Sequence, residues 1–436
     1  MTGSSESAGT PTTPLRRVVM ASLIGTTIEW YDFFLYGSAA ALVFNRLFFP
    51  DYDPLTGTLL AFTTYALGFV ARPVGGIVFG HYGDRIGRKR LLMLSLILMG
   101  IATTLIGLLP TYAQIGVWAP IALVLLRLVQ GFAVGGEWGG AVLLAAEHGD
   151  AARRGFWASW PQAGVPAGSL LAAGVLALLS GVQSEADFLA WGWRVPFVLS
   201  AVLVLVGWWI RTSVAESRTF EAELAAAEAP PSAPALEVFR ERPKAVLTGA
   251  GLRVGENISY YIITAFSLTY LTEVAAESRG LALQAVLAGA AVHFFAIPFF
   301  AWLSDRIGRR PVYAFGGLGL AGFAFAFFPM LGSGSNAAIF AAVVIALVLH
   351  GAMYGPQAAF IAELFPTRIR YSGASIAYQL TSIVAGSLAP IVALALYQRT
   401  GSAVPVAIYV GAACAISGVT ALLARETKGV ELAGIR

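Results

Sequence analysis

The feature that most constrains the fold of this chain is a charged turn between two long apolar runs, and it occurs twice. The turn at Gly80–Arg90 holds one acidic and four basic residues. Apolar runs of about 20 residues flank it, long enough to cross a bilayer as helices. Nearly the same sequence is repeated at Ala301–Arg310. The equivalent residues Asp84 and Asp305 lie about half the chain apart. This repeat predicts an internal duplication of a membrane-embedded bundle.

The composition supports a membrane protein and excludes a water-soluble enzyme of ordinary design. Hydrophobic residues make up 57% of the chain and charged residues 12%, whereas soluble domains carry about 25% charged residues. The apolar runs are continuous and lack the period of two that a membrane barrel needs. Cys414 is the single cysteine, and we expect neither a disulfide framework, nor a metal site, nor a cofactor. The net charge of +4 does not imply nucleic-acid binding.

The apolar runs predict an all-α membrane protein of twelve transmembrane helices in two pseudo-symmetric six-helix bundles. The predicted spans are 18–44, 56–80, 90–109, 117–147, 155–180, 193–211, 245–272, 280–303, 309–330, 337–364, 371–397 and 404–423. The bundles are then 18–211 and 245–423, joined by a cytosolic linker at 212–244 and flanked by cytosolic tails at 1–17 and 424–436.

The distribution of basic residues predicts the orientation. With both chain ends inside, 21 of the 28 Lys and Arg residues fall in cytosolic segments. This excess places both termini in the cytosol under the positive-inside rule. We therefore expect a multi-pass protein of the cell inner membrane, in contact with the lipid bilayer and monomeric.

Further sequence similarities between the two halves support the duplication. Glu147, six residues before Arg153, is echoed by Glu363 ahead of Arg368 and Arg370. Residues 215–218 after the sixth span are echoed by residues 425–429 after the twelfth. The four-residue spacings of Gly131–Gly135–Gly139 and Gly164–Gly168 indicate close helix packing and not ligand binding.

These residues resemble the major facilitator superfamily. Its marks are the charged turn between spans 2 and 3, the repeat between spans 8 and 9, and an Arg-x-x-Gln-Gly run opening at Arg127 in span 4. Residues 29–33, 71–76 and 135–140 are similar to the metabolite:proton symporter family. Within it, the stretch at Gly140 and the run 42–50 are similar to shikimate transporters. The second turn departs from the pattern, with Ala301 where the first has Gly80. The resemblance implies alternating access around a central cavity lined by spans 1, 4, 7 and 10.

Placing an ionisable residue inside a transmembrane span costs free energy, and this favours a partner or a function for each such residue. Glu29 and Asp32 share one face of span 1, and Arg127 lies at a matching depth in span 4. The acids can exchange partners with Arg127, which predicts Asp32 as the proton carrier, with Glu29 as the second choice. A static pair holding spans 1 and 4 together is the alternative.

Span 7 carries a second such pair. Arg253 and Glu256 either neutralise each other as a structural pair, or Arg253 is a second cationic contact for substrate and Glu256 takes part in proton coupling. Glu137 in span 4 has a coupling, gating or structural role. His293 and His350 are more simply explained by hydrogen bonding between helices than by a proton relay.

Polar and aromatic side chains of the cavity-lining spans and of span 11 are the remaining candidates for substrate contact. Packing is the alternative for each aromatic residue. The predicted set, with the two arginines, is Arg127, Gln130, Arg253, Tyr36, Asn257, Tyr260, Tyr354, Gln357, Tyr378 and Gln379. Arg72 is interpreted as a structural contact of the nearby turn.

The family resemblance also implies a gating role for the charged turns. It places Asp84 at the N-terminal end of span 11, near Thr367–Ser372, and Asp305 at span 5, near Arg153–Gly155. A carboxylate at a helix N-terminus interacts favourably with the helix dipole. Arg85, Arg88, Arg306 and Arg309 can form pairs across the bundles that close the cytosolic side.

The predicted function is a secondary active transporter that imports a small organic acid, shikimate-like or another carboxylate, by proton symport. The alternative is a proton-coupled importer of a zwitterionic osmolyte such as betaine or proline. A membrane enzyme, a nutrient sensor and a drug exporter are less favoured. The sequence has no catalytic constellation, no signalling domain and only short tails, and the direction of flux distinguishes an exporter.

Overall fold

The computed structural model describes residues 14–51, 54–212, 234–275 and 277–435, and within them it contains helices and no strand. The N-terminal half contains α1 (Leu15–Ala39), α2 (Pro54–Ile86), α3 (Arg88–Leu108), α4 (Trp118–His148), α5 (Arg154–Val182) and α6 (Arg194–Thr212). The C-terminal half contains α7 (Pro243–Tyr261), α8 (Arg279–Ile307), α9 (Arg309–Leu331), α10 (Asn336–Ala362), α11 (Arg370–Gln379 and Leu388–Thr400) and α12 (Val404–Leu423).

Several helices continue through wider π-helical turns. α1 runs on through Ala40–Phe44, α7 through Ile262–Phe266 and Tyr270–Val274, and the two parts of α11 are joined by Ser382–Ser387. A short helix, Pro234–Glu241, precedes α7. It packs on α2 and α11, and Arg368 forms ion pairs with its Glu237 and Glu241.

A helix lies over each of the twelve predicted spans, and the all-helical fold is as expected. Among the described residues, nine helices are long and apolar enough to cross a membrane, or ten if the bent pair Glu185–Gly192 and Arg194–Ile210 is one span. The number of crossings, the side on which the chain ends lie and the domain boundaries therefore stay predictions. Residues 1–13 of the predicted tail and 213–233 of the predicted linker lie outside the described residues.

The two halves pack by the same plan. In the N-terminal half α2 packs on α4, and α3 packs on α4 and α6; in the C-terminal half α8 packs on α10, and α9 packs on α10 and α12. The halves meet mainly where α5 contacts α8 and where α2 contacts α11. The helices equivalent by the sequence repeat thus occupy equivalent places.

The repeated charged turns also share a backbone conformation. Gly87 between α2 and α3 has φ 103°, and Gly308 between α8 and α9 has φ 110°. A side chain would be strained at such positive angles, so glycine is required to turn the chain within one residue. This turn brings the acid at the end of one helix next to the arginines that begin the following helix.

Glycines allow α2 and α4 to approach at backbone contact. A Cβ atom on Gly131 would lie 2.0 Å from the carbonyl oxygen of Gly68, and one on Gly135 would lie 2.1 Å from that of Arg72. Gly164 and Gly168 of α5 meet the backbone of α1 in the same way. The spacing of small residues is therefore used for helix packing.

Candidate functional site

A pocket lies between the two halves, at about the middle of the long helices. It is lined by Trp30, Val165, Arg253, Glu256, Asn257, Tyr260, Tyr261, His350, Tyr354 and Tyr378. Five of the predicted substrate residues lie in this wall, namely Arg253, Asn257, Tyr260, Tyr354 and Tyr378. Trp30 and Tyr261 were not predicted as substrate contacts. Trp30 follows Glu29 and Tyr261 follows Tyr260 in the sequence, but the residue types alone do not say which way the rings point.

An ion pair forms the charged part of the pocket wall. Arg253 and Glu256, three residues apart on α7, are both buried and in direct contact. The Arg253 guanidinium carbon also lies 3.5 Å from the centroid of the Tyr378 ring. Gln357 donates a hydrogen bond of 3.3 Å to Glu256, and so stands behind the pair and not in the pocket wall. The pocket therefore contains a cation whose charge is balanced by one carboxylate.

Two histidines extend this pair. His350 Nε2 lies 3.1 Å from Glu256 Oε1, and His350 Nδ1 lies 3.0 Å from Nε2 of His293. Both rings are buried. The sequence suggested two separate histidines in apolar surroundings, but α8 and α10 pack so closely that the rings form one chain ending at Glu256.

Aromatic stacking connects the halves beside the pocket. Trp138 of α4 stacks on Tyr378 of α11 with ring centroids 3.7 Å apart. Trp138 also donates a hydrogen bond of 2.9 Å to Gln162, which in turn donates to the carbonyl oxygen of Tyr354. The N-terminal half thus contacts the ring of Tyr378 and the backbone of Tyr354.

Asp32 belongs to a separate group of hydrogen-bonded residues away from the pocket wall. Asp32 is fully buried and accepts hydrogen bonds from Thr103 at 2.9 Å and Ser200 at 2.5 Å. This differs from the predicted direct pairing with Arg127. Arg127 contacts Gln130 at 3.1 Å, Gln130 donates to Thr103 at 2.7 Å, and Thr103 in turn donates to Asp32.

The physical reason for this difference is the rotation of α1 about its axis. Matching depth along two helices does not fix which face each one presents. α1 turns Asp32 towards α3 and α6, which lie outside the ring of cavity-lining helices predicted for the N-terminal half. Glu29 is buried on the same helix.

Other predicted residues are engaged in contacts between helices. Ser95 donates a hydrogen bond of 2.6 Å to Glu137, and the hydroxyls of Tyr36 and Thr64 are 2.6 Å apart. Gln379 donates to the carbonyl oxygen of Gly135, 3.2 Å away in the other half. The described pocket wall does not include Tyr36, Arg127, Gln130 or Gln379.

The charged turns join the halves at one end of the molecule. Asp84 accepts hydrogen bonds from the backbone N–H groups of Tyr371 and Ser372, at 3.0 and 2.8 Å, at the start of α11. Asp305 accepts from the backbone of Gly155 and Phe156, at 2.9 and 2.8 Å, at the start of α5. Each acid lies at the N-terminus of a helix in the opposite half.

Two buried glutamates support these contacts. Glu147 forms ion pairs with Arg88 of its own half and, at 2.9 Å, with Arg370 of the other half. By the same plan Glu363 pairs with Arg309, at 3.3 Å, and with Arg154 across the interface, at 2.9 Å. The cross-bundle ion pairs are therefore made by the arginines at the starts of α5 and α11.

The four turn arginines that were predicted to pair across the bundles do not all do so. Arg88 reaches the carbonyl oxygen of Thr367 in the other half at 3.4 Å, and Arg309 pairs with Asp305 and Glu363 of its own half. The contact described for Arg85 is with His81, and that for Arg306 is with the ring of Trp302, each on the same helix. Arg85 and Arg306 lie at the ends of α2 and α8. The ion pairs between the two halves are made by buried residues instead.

Comparison with known proteins agrees with this architecture. The model of the Major Facilitator Superfamily matches residues 22–390 and 257–434. The shikimate transporter of Escherichia coli (strain K12) is 45% identical over 416 residues, covering 95% of each chain. The glycine betaine/proline/ectoine/pipecolic acid transporter OusA of Dickeya dadantii (strain 3937) is 35% identical over 428 residues, covering 96% of this chain and 85% of that protein.

A solved structure shows the same fold. The proton:xylose symporter XylE, bound to 6-bromo-6-deoxy-D-glucose, superposes with a TM-score of 0.76 at 17% identity, covering 96% of this chain and 98% of that chain. The chain therefore belongs to the major facilitator superfamily. The protein is a membrane transporter and not an enzyme, and its resemblance to the shikimate transporter extends over almost its whole length.

Proposed function

We propose that this protein imports a small organic acid together with protons, by alternating access around the pocket between its halves. A shikimate-like carboxylate is the proposed substrate class, in line with the relative of that name. The observation that carries the proposal is the buried Arg253–Glu256 pair in the pocket wall. It offers a carboxylate-binding group and a proton-binding group in direct contact.

The exchange proposed at this pair follows from charge balance. While Glu256 is ionised, it neutralises Arg253, and a substrate carboxylate would have to compete with it. A proton on Glu256 removes that competition and frees the guanidinium fork, which suits a carboxylate. Release of the substrate restores the ion pair and expels the proton. Tyr260, Tyr354 and Asn257 supply hydroxyl and amide groups for the rest of a polyol-like molecule.

The charged-turn contacts are proposed as the gate on the cytosolic side, with the protein in the inner membrane. The concentration of basic residues at that end supports this orientation. In the conformation described, the docked Asp84 and Asp305 hold that end closed. Import then requires these contacts to break once substrate and proton are bound.

Uptake into proteoliposomes under an imposed pH gradient tests the proposal. Wild-type protein should accumulate shikimate when the outside is acidic. Glu256→Gln should lose gradient-driven accumulation but still exchange internal for external shikimate, because its amide cannot carry the proton. Glu185→Gln, which alters an exposed ion pair with Arg46, is the matched control. Wild-type uptake that is indifferent to the gradient would contradict proton coupling.

A zwitterionic osmolyte is the second candidate. The rings of Trp30, Tyr260, Tyr261, Tyr354 and Tyr378 line the pocket, and aromatic faces bind quaternary ammonium groups. The similarity to OusA points the same way. A thermal-shift comparison of shikimate, betaine and proline separates the two, since a ligand that binds only the folded state raises its melting temperature.

A further inference from the structure

A second arginine adjoins the pocket, and its environment differs from that of Arg253. Arg72 of α2 is only 4% exposed. Its guanidinium carbon lies 4.3 Å from the ring centroid of Phe69, 4.6 Å from that of Phe33 and 5.8 Å from that of Trp30. It also lies beside the hydroxyl of Tyr261. Arg72 is therefore enclosed by aromatic rings in mid-helix and makes no contact with the charged turn, contrary to the interpretation from sequence.

No carboxylate of the described residues lies within ion-pair distance of Arg72. Other buried arginines have such a partner, and these are Arg88, Arg154, Arg253, Arg309 and Arg370. Two buried acids of the neighbouring helices α1 and α7 are already engaged. Asp32 is held by Thr103 and Ser200, and Glu256 by Arg253 and His350.

The rings around Arg72 compensate its charge only in part. Removing an ion from water costs more free energy, even after the protein relaxes, than a cation gains on an aromatic face. Among the residues that the structure describes, none forms a hydrogen bond with the Nε atom of Arg72. The guanidinium carbon of Arg127 lies 5.1 Å from the same Phe33 ring. The partly compensated charge of Arg72 therefore favours the arrival of an anion.

Two of the residues that contact Arg72 also line the pocket. Trp30 and Tyr261 both line the pocket; the Trp30 ring centroid lies 5.8 Å from the Arg72 guanidinium carbon, and the Tyr261 hydroxyl lies beside the guanidinium. For Arg72 to contact a ligand in the pocket, one of these two side chains has to move aside.

We propose that Arg72 binds the carboxylate group of the transported substrate, as a permanent cationic contact beside the proton-controlled Arg253. The assignment rests on the function proposed above. It divides the roles between the halves: Arg72 of the N-terminal half selects anions at all times, and Arg253 of the C-terminal half adds its charge once Glu256 is protonated. The ligand class is a small monocarboxylate that the planar fork of Arg72 holds through two hydrogen bonds.

Binding of shikimate and of its uncharged methyl ester to purified protein tests this assignment. The ester keeps the ring and hydroxyls but removes the negative charge. Arg72→Gln should weaken shikimate binding about 10- to 100-fold, the effect of losing a charged hydrogen-bond pair, and should leave ester binding nearly unchanged. Arg194→Gln is the matched control, because Arg194 also lies on an aromatic ring, that of Trp193, away from the pocket.

The outcomes separate this assignment from the proposed function. If folded wild-type protein binds no shikimate, the proposed substrate class is wrong. If wild-type protein prefers shikimate to the ester and Arg72→Gln keeps that preference, only the role of Arg72 is wrong. Should Arg72→Gln fail to fold, Arg72→Lys provides the test: selective weakening of shikimate binding supports the assignment, and equal weakening of both ligands overturns it.

Discussion

Asp84 on α2 accepts a hydrogen bond of 2.8 Å from the backbone N–H of Ser372, the third residue of α11 in the other half. Asp305 repeats the arrangement at the start of α5. Each carboxylate satisfies N–H groups that have no partner within their helix and interacts with the positive end of the helix dipole. These bonds exist only while the charged-turn ends of the halves are together, so they stabilise that one conformation.

Asp84→Asn should open the charged-turn end more often. Charge-assisted hydrogen bonds contribute about 1.5–3 kcal/mol, so the equilibrium should shift about 10- to 100-fold. A cysteine at Ala358, which is buried at the interface near Tyr378, should react faster with a water-soluble maleimide. Cys414 is the single native cysteine and is buried, so a Cys414→Ser background gives a clean readout.

Glu426→Gln is the matched control for this labelling experiment. Glu426 also binds backbone N–H groups at the start of a helix, those of Arg309 and Arg310, but within one half. Its substitution should leave the labelling rate of the Ala358 cysteine unchanged. Equal labelling of Asp84→Asn and wild-type protein would show that the docked aspartate does not hold the gate.

Glu147→Gln should be strongly destabilising. The glutamate balances the charges of two buried arginines, Arg88 and Arg370, and breaking a buried ion pair by removing one partner costs about 3–5 kcal/mol. We expect a lower melting temperature in detergent and a similar loss for Glu363→Gln. The exposed pair of Glu185 with Arg46 should contribute no more than about 1 kcal/mol, so Glu185→Gln should melt like wild type.

Gly135→Ala should separate α2 from α4. The new Cβ would lie 2.1 Å from the carbonyl oxygen of Arg72, and such overpacking costs about 1–3 kcal/mol or more where backbone must move. Gly174→Ala on α5 is the control, because no atom lies within 4 Å of its Cβ position and alanine favours helix. Expression level and melting temperature should fall for the first variant and not for the second.

Glu426 should make a pH-dependent contribution to stability. Burial raises the pKa of its carboxyl, but the backbone N–H groups of Arg309, Arg310, Thr427 and Lys428 donate hydrogen bonds that outweigh burial and lower the pKa overall. A lowered pKa in the folded state gives a stabilisation that is complete above the pKa of the unfolded chain and is lost as the pH falls through the folded value.

The measurement is the difference in melting temperature between wild type and Glu426→Gln across pH. At pH 7 the variant should be less stable by about 0.5–2 kcal/mol, the usual effect of a helix cap. The difference should shrink as the pH falls below about 4, where glutamate takes up its proton. A difference that stays constant from pH 7 to pH 3.5 would contradict the role of the carboxylate charge.

The part of the site that depends on neighbouring residues of one helix could be predicted from the sequence. Arg253 and Glu256, three residues apart, had to share a face of α7, and they are in contact. Asp32 is held by Thr103 and Ser200, whereas the expected contact with Arg127 required a particular rotation of two different helices. Arg72 was misinterpreted for the same reason: closeness to the charged turn along the chain did not reveal that its side chain lies among Phe33 and Phe69.

The amino-acid sequence alone determined the helices, the family and the twofold repeat, because apolar run lengths and repeated turns are properties of local order along the chain. The tertiary structure decided which acid meets which arginine, which histidines touch and that Arg72 lies among aromatic rings. Those relationships depend on how each helix is rotated and on which helices of the two halves face each other. Packing across the whole bundle sets both, and no local spacing encodes them.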